Sequence, residues 1–210
     1  MQKSKVRFVL AVILLTISLA LLMWSYWPAR REISIQPISP SKSAIPESRR
    51  LTLELPSRIR VWEGDVIRMM LDVDSLGNIT PTANLYETHN ITAEARLDLA
   101  GVDVKPSDLI SEPLLPGQSA TFYWSARPGD VGVYRGTAWL HLRFVDKVSG
   151  AESRIAVSAQ RVEIDAVNLF GLPLGAVRWA GGVGSFIGGI IGFPFFKDIV
   201  KFIFRRRKRA

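Results

Sequence analysis

Few residues of this chain have side chains suited to chemistry. There are two histidines, His89 and His141, and no cysteine. His89 falls in a predicted loop beside Glu87, and His141 on the outer face of a predicted strand. A metal site would need both imidazoles to lie close to that carboxylate. The alternative is that the two histidines are separate surface residues. The lack of cysteine excludes a disulfide scaffold, thiol catalysis and cysteine-based metal sites.

Short motifs of known chemistry do not add to this set. The sequence contains no G-x-S-x-G nucleophile elbow, no Walker A loop and no G-x-G-x-x-G turn. The glycines from Gly181 to Gly192 lie in an apolar run without the lysine that a phosphate loop needs. Asp72–Asn78 has part of the spacing of a calcium loop, but Leu76 and Ala83 occupy ligand positions. The sequence therefore predicts no enzyme, no metal and no cofactor.

The positive charge of the chain is confined to its two ends. The net charge is +8, yet residues 28–196 hold 17 basic and 18 acidic side chains. Residues 1–27 carry three basic residues and no acid, and residues 197–210 carry seven against one acid. A nucleic-acid-binding domain would place its charge on a folded face. Basic ends beside apolar segments are instead typical of a membrane protein, so lipid is a predicted partner and nucleic acid is not.

Residues 1–27 are predicted to be a cytoplasmic basic start followed by a transmembrane anchor. Apart from Arg7, Val6–Trp24 is apolar or hydroxylic, and about 20 helical residues cross a hydrocarbon core of about 30 Å. Tyr26 and Trp27 then follow, as in an aromatic belt. A cleaved signal peptide is the alternative, although bulky residues stand where its small-residue cleavage site would be.

Residues 167–196 form a second, glycine-rich apolar segment. No charge occurs in the 18 residues from Trp179 to Phe196, which is the lower limit for a span. Small residues recur there at helical spacing and would let another helix approach closely in lipid. Pro173 and Pro194 leave a flexible, re-entrant or interfacial segment as the alternative. The residues predicted to pack against the anchor helix or a partner are Gly181, Gly184, Ser185, Gly188, Gly189 and Gly192.

Residues 197–210 are predicted to be a cytoplasmic basic tail. Its basic cluster would be attracted to anionic headgroups, with each basic residue contributing about 1 kcal/mol to binding. The alternative is that the cluster serves only to set the topology. On the other side of the membrane, Arg178 beside Trp179 is expected to reach the outer headgroups or to pair with a partner subunit. Both termini would then lie in the cytoplasm. The predicted lipid contacts are Arg205, Arg206, Arg207, Lys208 and Arg209.

Between the membrane segments, residues 28–50 are predicted to be a Pro/Ser-rich linker and residues 51–166 a β domain. From Leu51 onward apolar residues alternate with polar ones, which indicates half-buried strands. Six or seven short strands separated by turn signals favour an antiparallel sandwich. The predicted inward rows are Leu51, Leu53 and Leu55; Ile67, Met69, Leu71 and Val73; Ile91, Ala93, Ala95, Leu97 and Leu99; Ala120, Phe122, Trp124 and Ala126; Ala138, Leu140, Leu142 and Phe144; and Ile155, Val157, Val162 and Ile164 around a bulge near Ala159 and Gln160.

The heptapeptide Asp130–Gly136, DVGVYRG, resembles the D-x-G-x-Y-x-C segment that leads into strand F of immunoglobulin domains. The wider stretch from Pro116 to Tyr134 resembles strand pairs of bacterial extracytoplasmic Ig-like domains. The resemblance implies an Ig-like sandwich with Tyr134 as the tyrosine-corner residue, its hydroxyl bonded to the preceding loop. Gly136 stands at the position of the second cysteine, so the disulfide is absent.

The expected fold is mainly β: an Ig-like antiparallel β-sandwich flanked by an N-terminal transmembrane helix and a C-terminal glycine-rich membrane helix. The predicted function is a non-enzymatic interaction or assembly module outside the cytoplasm, anchored in the cell membrane. Its helical partner is another membrane protein or a second copy. An accessory subunit of a larger complex, such as a transporter or respiratory assembly, is the alternative. The long insertion 75–92 offers candidate partner-binding residues, or else covers the end of the core. These residues are Leu85, Tyr86 and His89.

Overall fold

The computed structural model of the protein describes two compact units. One, the helical unit, takes its described residues from 1–28 and 168–210, and the other, the sandwich, from 29–167. Helix α1 (Gln2–Tyr26) opens the helical unit. The residues described are 2–27, 30–38, 45, 47–74, 85–169, 171–172 and 175–190.

The sandwich is built from ten described strands and one short helix. In chain order these are β1 (Arg31–Ile38), β2 (Arg49–Pro56), β3 (Arg58–Arg60), β4 (Asp65–Val73), α2 (Leu85–Thr88), β5 (His89–Leu99), β6 (Val102–Lys105), β7 (Ile110–Pro113), β8 (Ala120–Pro128), β9 (Gly132–Asp146) and β10 (Glu152–Val167). They form two five-stranded sheets, ordered β1-β2-β4-β8-β6 and β3-β10-β9-β5-β7. The described strands pair antiparallel, except that β3 runs parallel to β10. This confirms the prediction of a mainly β protein with two sheets.

Alternating residues from the two sheets meet in one apolar core. The inward rows predicted for β2, β5, β8 and β9 are buried throughout, and Phe122 and Trp124 are its largest aromatic members. Only Val73 and Ile155 among the predicted inward residues are half-buried. Each fully buried large apolar side chain stabilises the fold by about 1.5–3 kcal/mol. The period of two in the sequence therefore identified most of the core correctly.

Residues 31–38 belong to the sandwich, which corrects the prediction of a linker over 28–50. Strand β1 pairs with β2 along its whole length. Two of its three isoleucines, Ile33 and Ile35, are exposed, and only Ile38 at its end is buried, so the strand lacks the inward apolar row that a sequence pattern detects. Pro37 is compatible with this strand because β1 lies at the edge of its sheet.

The strands are more numerous than predicted, and two of them are long. Strands β9 and β10 have 15 and 16 residues. The bulge in β10 lies between Ala156 and Ser158, slightly before its predicted place near Ala159. The Gln36 side-chain oxygen accepts hydrogen bonds from Ser158 Oγ at 2.7 Å and Gln160 Nε2 at 3.2 Å. A side chain of β1 thus satisfies polar groups where the β10 ladder is interrupted.

The helical unit contains α1 and a second described helix, α3, of residues 175–190. The Val9–Tyr26 stretch of α1 is long and apolar enough to cross a membrane, a property that signal sequences share. Helix α3 lies inside the glycine-rich segment predicted for 167–196. Residues 191–210 are outside the described residues. An N-terminal apolar helix is thus confirmed, and a membrane role for α3 stays a prediction.

Candidate functional site

The glycines of α3 lie close to α1. A Cβ atom added at Gly184 would overlap the Ser18 side chain. One added at Gly181 would come within 2.8 Å of the Leu22 side chain. Real Cβ atoms do not approach other atoms so closely, so a larger residue at either position would require the facing α1 side chain or the helix itself to shift. Small residues at such contacts are what lets helix backbones approach each other in a membrane.

The contact between the two helices runs antiparallel. A Cβ atom added at Gly188 would lie 3.4 Å from the Leu15 backbone. From Gly181 to Gly188 along α3, the contacted positions on α1 descend from Leu22 to Leu15. The spacing of the three glycines therefore keeps one face of α3 against one face of α1 over about two helical turns.

The other predicted helix-packing residues have different surroundings. Ser185 is half-buried, and its hydroxyl has no hydrogen-bond partner among the described residues. Gly189 has open space where a Cβ would stand, and Gly192 lies outside the described residues. Packing by the six residues as a set in a membrane stays a prediction.

Arg178 of α3 has partners on α1. Its Nε donates a hydrogen bond to the buried Ser25 hydroxyl at 3.1 Å. Its guanidinium carbon lies 5.2 Å from the centre of the Tyr26 ring, a cation–π distance. The arginine therefore ties the end of α1 to the first turn of α3.

The candidate partner-binding residues of the sandwich gather around α2. Leu85 and Tyr86 are half-buried and pack against the core. His89 begins β5, with its Nδ1 2.8 Å from the Thr88 hydroxyl and its Nε2 3.8 Å from an Asp146 carboxylate oxygen. Leu85 and Tyr86 cover the end of the core, which is the alternative that the sequence left open. Partner binding by this set stays a prediction.

A buried arginine that the sequence did not reveal holds the same end of the sandwich. The Arg49 side chain is 0% exposed and donates hydrogen bonds to the Gln118 carbonyl at 2.6 Å and the Tyr86 hydroxyl at 3.1 Å. It also forms an ion pair with Glu47 at 2.9 Å. Burial raises the pKa of the Tyr86 phenol, and the Arg49 cation opposes that rise. In the sequence Arg49 looks like any charged residue before a strand, and only its distant partners identify it.

A second ionic cluster lies on the outer face of the β5-β9-β10 sheet. The buried Glu94 carboxylate is 3.1 Å from Arg143 Nε and 2.9 Å from Arg154 Nε. The Arg143 contact lacks hydrogen-bond geometry, so it is an ion pair by distance alone. His141 lies opposite Glu94 and stacks on Trp139. Burial, together with the Arg154 cation, lowers the pKa of His141. With both oxygens of Glu94 against guanidinium groups, the cluster suits cross-strand stabilisation rather than proton transfer.

The two histidines do not converge. His89 is paired with Asp146 and His141 with Glu94 on the same two strands. Five strand positions, about 17 Å, therefore separate them, which is too far for both imidazoles to bind one metal ion. Within the described ranges, no group of three or more His, Cys, Asp or Glu side chains is placed to hold a metal.

A groove of about 700 Å³ is lined by residues of β5, β6 and β9. Each of its charged side chains has an ionic partner: Arg96 pairs with Asp98 at 2.7 Å, Arg135 with Glu163 at 2.8 Å, and Asp103 with Lys105 at 3.2 Å. Trp139 forms part of its wall. Paired charges beside one aromatic ring suit contact with another surface more than a reaction.

The tyrosine corner implied by the resemblance is present. The Tyr134 hydroxyl donates a hydrogen bond to the Asp130 carbonyl at 3.0 Å. At Gly136, an added Cβ would overlap the Asp98 carbonyl. Glycine at this position thus allows close approach of β5 and β9, and the corner is confirmed without the disulfide.

Two other sets of predicted residues fall outside the described residues in whole or in part. Residues 75–80 of the calcium-like spacing are outside, while Asp74 is described and pairs with Arg50 at 3.0 Å. The basic tail is wholly outside. Its predicted lipid contacts are Arg205, Arg206, Arg207, Lys208 and Arg209.

Comparison with known proteins finds similar structures and no similar sequences. No family model and no curated protein matches the chain. A structure of the human seminal-plasma complex of zinc 2-glycoprotein and prolactin-inducible protein is 8% identical, with a TM-score of 0.34, covering 66% of this chain and 97% of that one. AggA, the major subunit of aggregative adherence fimbriae type I of Escherichia coli, is 10% identical, with a TM-score of 0.29, covering 67% and 97%. The PapD-like domain 7 of human CEP192 is 10% identical, with a TM-score of 0.30, covering 68% and 90%. At TM-scores below 0.5, no conclusion about the fold or the function of this chain follows from these likenesses.

Proposed function

We propose that the protein is a membrane-anchored, non-enzymatic interaction or assembly module. Its helical unit would lie in the bilayer, and its Ig-like sandwich would act outside the cytoplasm. The observation that carries this proposal is the close contact of α3 with α1 at Gly181 and Gly184. Glycine in a water-exposed helix costs about 1 kcal/mol relative to alanine. In lipid the same residue allows the backbone contact that holds two helices together.

The outward faces of both helices support a lipid environment. On α1, Leu10 and Leu19 are exposed, and on α3 Trp179 and Phe186 are 76% and 71% exposed. Soluble monomers rarely leave contiguous apolar surfaces of this kind in water. Acyl chains would cover them, and the backbone polar groups of both helices are satisfied internally, as a bilayer requires.

The contact with α3 also favours a retained anchor over a cleaved signal. Cleavage after Trp27 would remove Ser18 and Leu22, against which the glycines of α3 lie. It would also remove Ser25 and Tyr26, the partners of Arg178 on α1. A segment that is discarded after export has no need of such contacts.

The absence of native cysteine makes one introduced cysteine a clean reporter of topology. Val148, in the turn between β9 and β10, is 96% exposed. We expect Val148→Cys to react with a membrane-impermeant maleimide on intact cells. The matched variant Ala210→Cys should react only after the membrane is permeabilised. Reaction of Val148→Cys only after permeabilisation, or release of the protein from membranes by high salt, would contradict the proposal.

A second candidate function is an accessory subunit of a larger membrane complex. The observation that favours it is the exposed apolar face of α3, where Trp179 and Phe186 offer a packing surface to a neighbouring helix. Purification of the full chain in mild detergent, followed by mass spectrometry, separates the two candidates. A different membrane protein at fixed stoichiometry supports the accessory subunit, and a monomer or homodimer contradicts it.

A further inference from the structure

We propose that one end of the sandwich binds the phospholipid surface of the protein's own membrane, with Trp62 inserted among the headgroups. This end, the Trp62 end, consists of the turns around Trp62 and Val131. The proposal rests on the proposed function, because it takes α1 to be a membrane span. It adds a lipid-contact site on the sandwich itself, remote from both helices in the sequence.

Both connections of the sandwich to the helical unit leave from the Trp62 end. The Arg30 carbonyl accepts hydrogen bonds from Ser57 N and Ser57 Oγ, both at 2.8 Å. Val61 N donates to the Val167 carbonyl at 3.0 Å. Ser57 thus fixes the point where the chain enters the sandwich, and Val61 fixes the point where it leaves. Trp62 directly follows Val61.

The first connection is too short to let this end leave the membrane surface. Only two residues lie between Trp27, which is predicted to lie in the aromatic belt, and Arg30, so three Cα-to-Cα steps connect them. A fully extended chain covers at most about 11 Å over that distance. The headgroup layer on one side of a bilayer is roughly 5–8 Å thick. If α1 spans, the entry point of the sandwich therefore lies within or just above the headgroups.

Trp62 is exposed in a backbone conformation that a bulky residue rarely adopts. Its side chain is 59% exposed, and its φ is 69°. A hydrogen bond of 3.0 Å from Trp62 N to the Pro128 carbonyl holds the turn. Such strained positions persist where the surroundings impose them and are common at functional sites. Core packing does not explain the residue, because the ring points to solvent.

The neighbours of Trp62 have the chemistry of a membrane interface. The Arg127 guanidinium carbon lies 5.9 Å from the centre of the Trp62 ring. Val131 and Val133, which follow Pro128 in the next turn and strand, are also exposed. Tryptophan rings settle at the headgroup level, and guanidinium groups bind phosphate oxygens. The ring, the valines and the arginine together fit a phospholipid surface.

The test uses the full chain reconstituted in bilayers of phosphatidylcholine and phosphatidylglycerol. A fluorophore is attached to Val131→Cys at the Trp62 end, or to Val148→Cys in the β9–β10 turn. The natural chain has no cysteine, so each variant carries its label at one position. Lipids that carry a nitroxide close to the headgroup serve as the quencher. We expect loss of most of the fluorescence at position 131 and only background quenching at 148. Equal quenching at the two positions would overturn the proposal.

Substitutions of Trp62 separate lipid contact from a structural role. Trp62→Gly suits a φ of 69°, so it should not lower the thermal unfolding midpoint, while quenching at Val131→Cys should fall. Trp62→Tyr keeps an amphipathic ring and should retain quenching. A lower midpoint for Trp62→Gly with unchanged quenching would show a structural residue and overturn the proposal.

A third label distinguishes failure of this inference from failure of the proposed function. Ile13 is exposed near the middle of α1, and Ile13→Cys should be quenched by nitroxides deep in the acyl chains. Without that quenching, α1 does not span, and both proposals fall. Quenching at Ile13→Cys without quenching at Val131→Cys overturns the lipid-contact site alone.

Discussion

Single charged residues inside the sandwich are each held by several partners. Arg49 donates to two carbonyls and a phenol and pairs with Glu47. Glu94 lies between Arg143 and Arg154. An isolated buried charge costs several kcal/mol, and paired geometry offsets that cost. Removing one member of such a set should therefore destabilise the fold more than an exposed substitution does.

Glu94→Gln should lower the free energy of unfolding by about 2 kcal/mol, because its amide leaves two guanidinium groups without their anion. Urea unfolding of the detergent-solubilised protein, followed by near-ultraviolet circular dichroism, measures this loss. The control is Glu112→Gln at an exposed position of β7, which should change stability by less than about 0.5 kcal/mol. Similar losses in both variants would show that the Glu94 ion pairs do not stabilise the sheet.

The turn after β9 should make stability depend on pH at acid values. Asp146 Oδ1 accepts hydrogen bonds from Ser149 N, Ser149 Oγ and Val148 N at 2.7, 2.9 and 2.9 Å. These bonds, those of Ser149 first, hold the pKa of Asp146 below its ordinary value. A depressed pKa gives stabilisation that is full above the unfolded pKa of about 3.9 and is lost as the pH falls through the folded pKa.

Asp146→Asn should therefore unfold at a lower urea concentration than the natural chain at neutral pH, and the difference should shrink as the pH falls well below about 3.9. Unfolding midpoints of both proteins across this range test the prediction. If the difference did not change with pH, the stabilisation from the turn would not depend on the negative charge of the Asp146 carboxylate.

At the scale of elements, close approach decides which side chains are allowed. Helix α3 places Gly184 against Ser18, whereas Gly182 has open space around it. In the sandwich, β1 provides Gln36 to the bulge of β10 across the two sheets. In both cases a small or polar residue makes a contact that a nearby residue of the same element does not make.

Gly184→Leu should separate α3 from α1, because an inserted side chain in a packed contact costs about 1–3 kcal/mol. The readout is the yield of a disulfide between Leu22→Cys and Gly181→Cys, whose positions lie close enough for a bond. Gly184→Leu should reduce that yield strongly. Gly182→Leu adds the same side chain on the open face and should leave it unchanged. Equal yields in the two variants would contradict the helix contact.

At the scale of the whole molecule, the chain divides into units with separate contacts. The described residues of 29–167 form the sandwich, with its own core and two sheets. A domain of this size buries roughly two-thirds of its chain surface, which is enough for independent stability. The sandwich should therefore fold without either helix.

Residues 30–167 expressed alone should give a soluble β protein with one cooperative unfolding transition. The matched piece 39–167 lacks β1 and so leaves the edge of β2 uncovered. We expect it to unfold at lower urea concentration or to aggregate, because open edges pair with other chains. Circular dichroism and size-exclusion chromatography measure both outcomes. Equal behaviour of the two pieces would mean that β1 is dispensable, as a linker would be.

The sequence by itself determined the features that depend on local periodicity. Alternation from Leu51 onward predicted the buried rows, because strand side chains alternate between faces. The apolar run of α1 was evident from length and composition alone. Tyr134 and its bond to Asp130 followed from a short motif, since both partners lie four residues apart.

The tertiary structure decided the features that depend on partners distant in sequence. Strand β1 joined the sandwich although two of its three isoleucines are exposed, because pairing with β2, and not an inward apolar row, places it there. Arg49 is buried by partners up to 69 residues away. The periodicity of α3 could not show that Gly184 faces α1 while Gly189 does not. The same limit applies to Trp62, whose exposure follows from a turn held by Pro128. The periodicity of a sequence predicts which residues share one face of a helix or strand. Which other element packs against that face depends on contacts between residues distant in sequence.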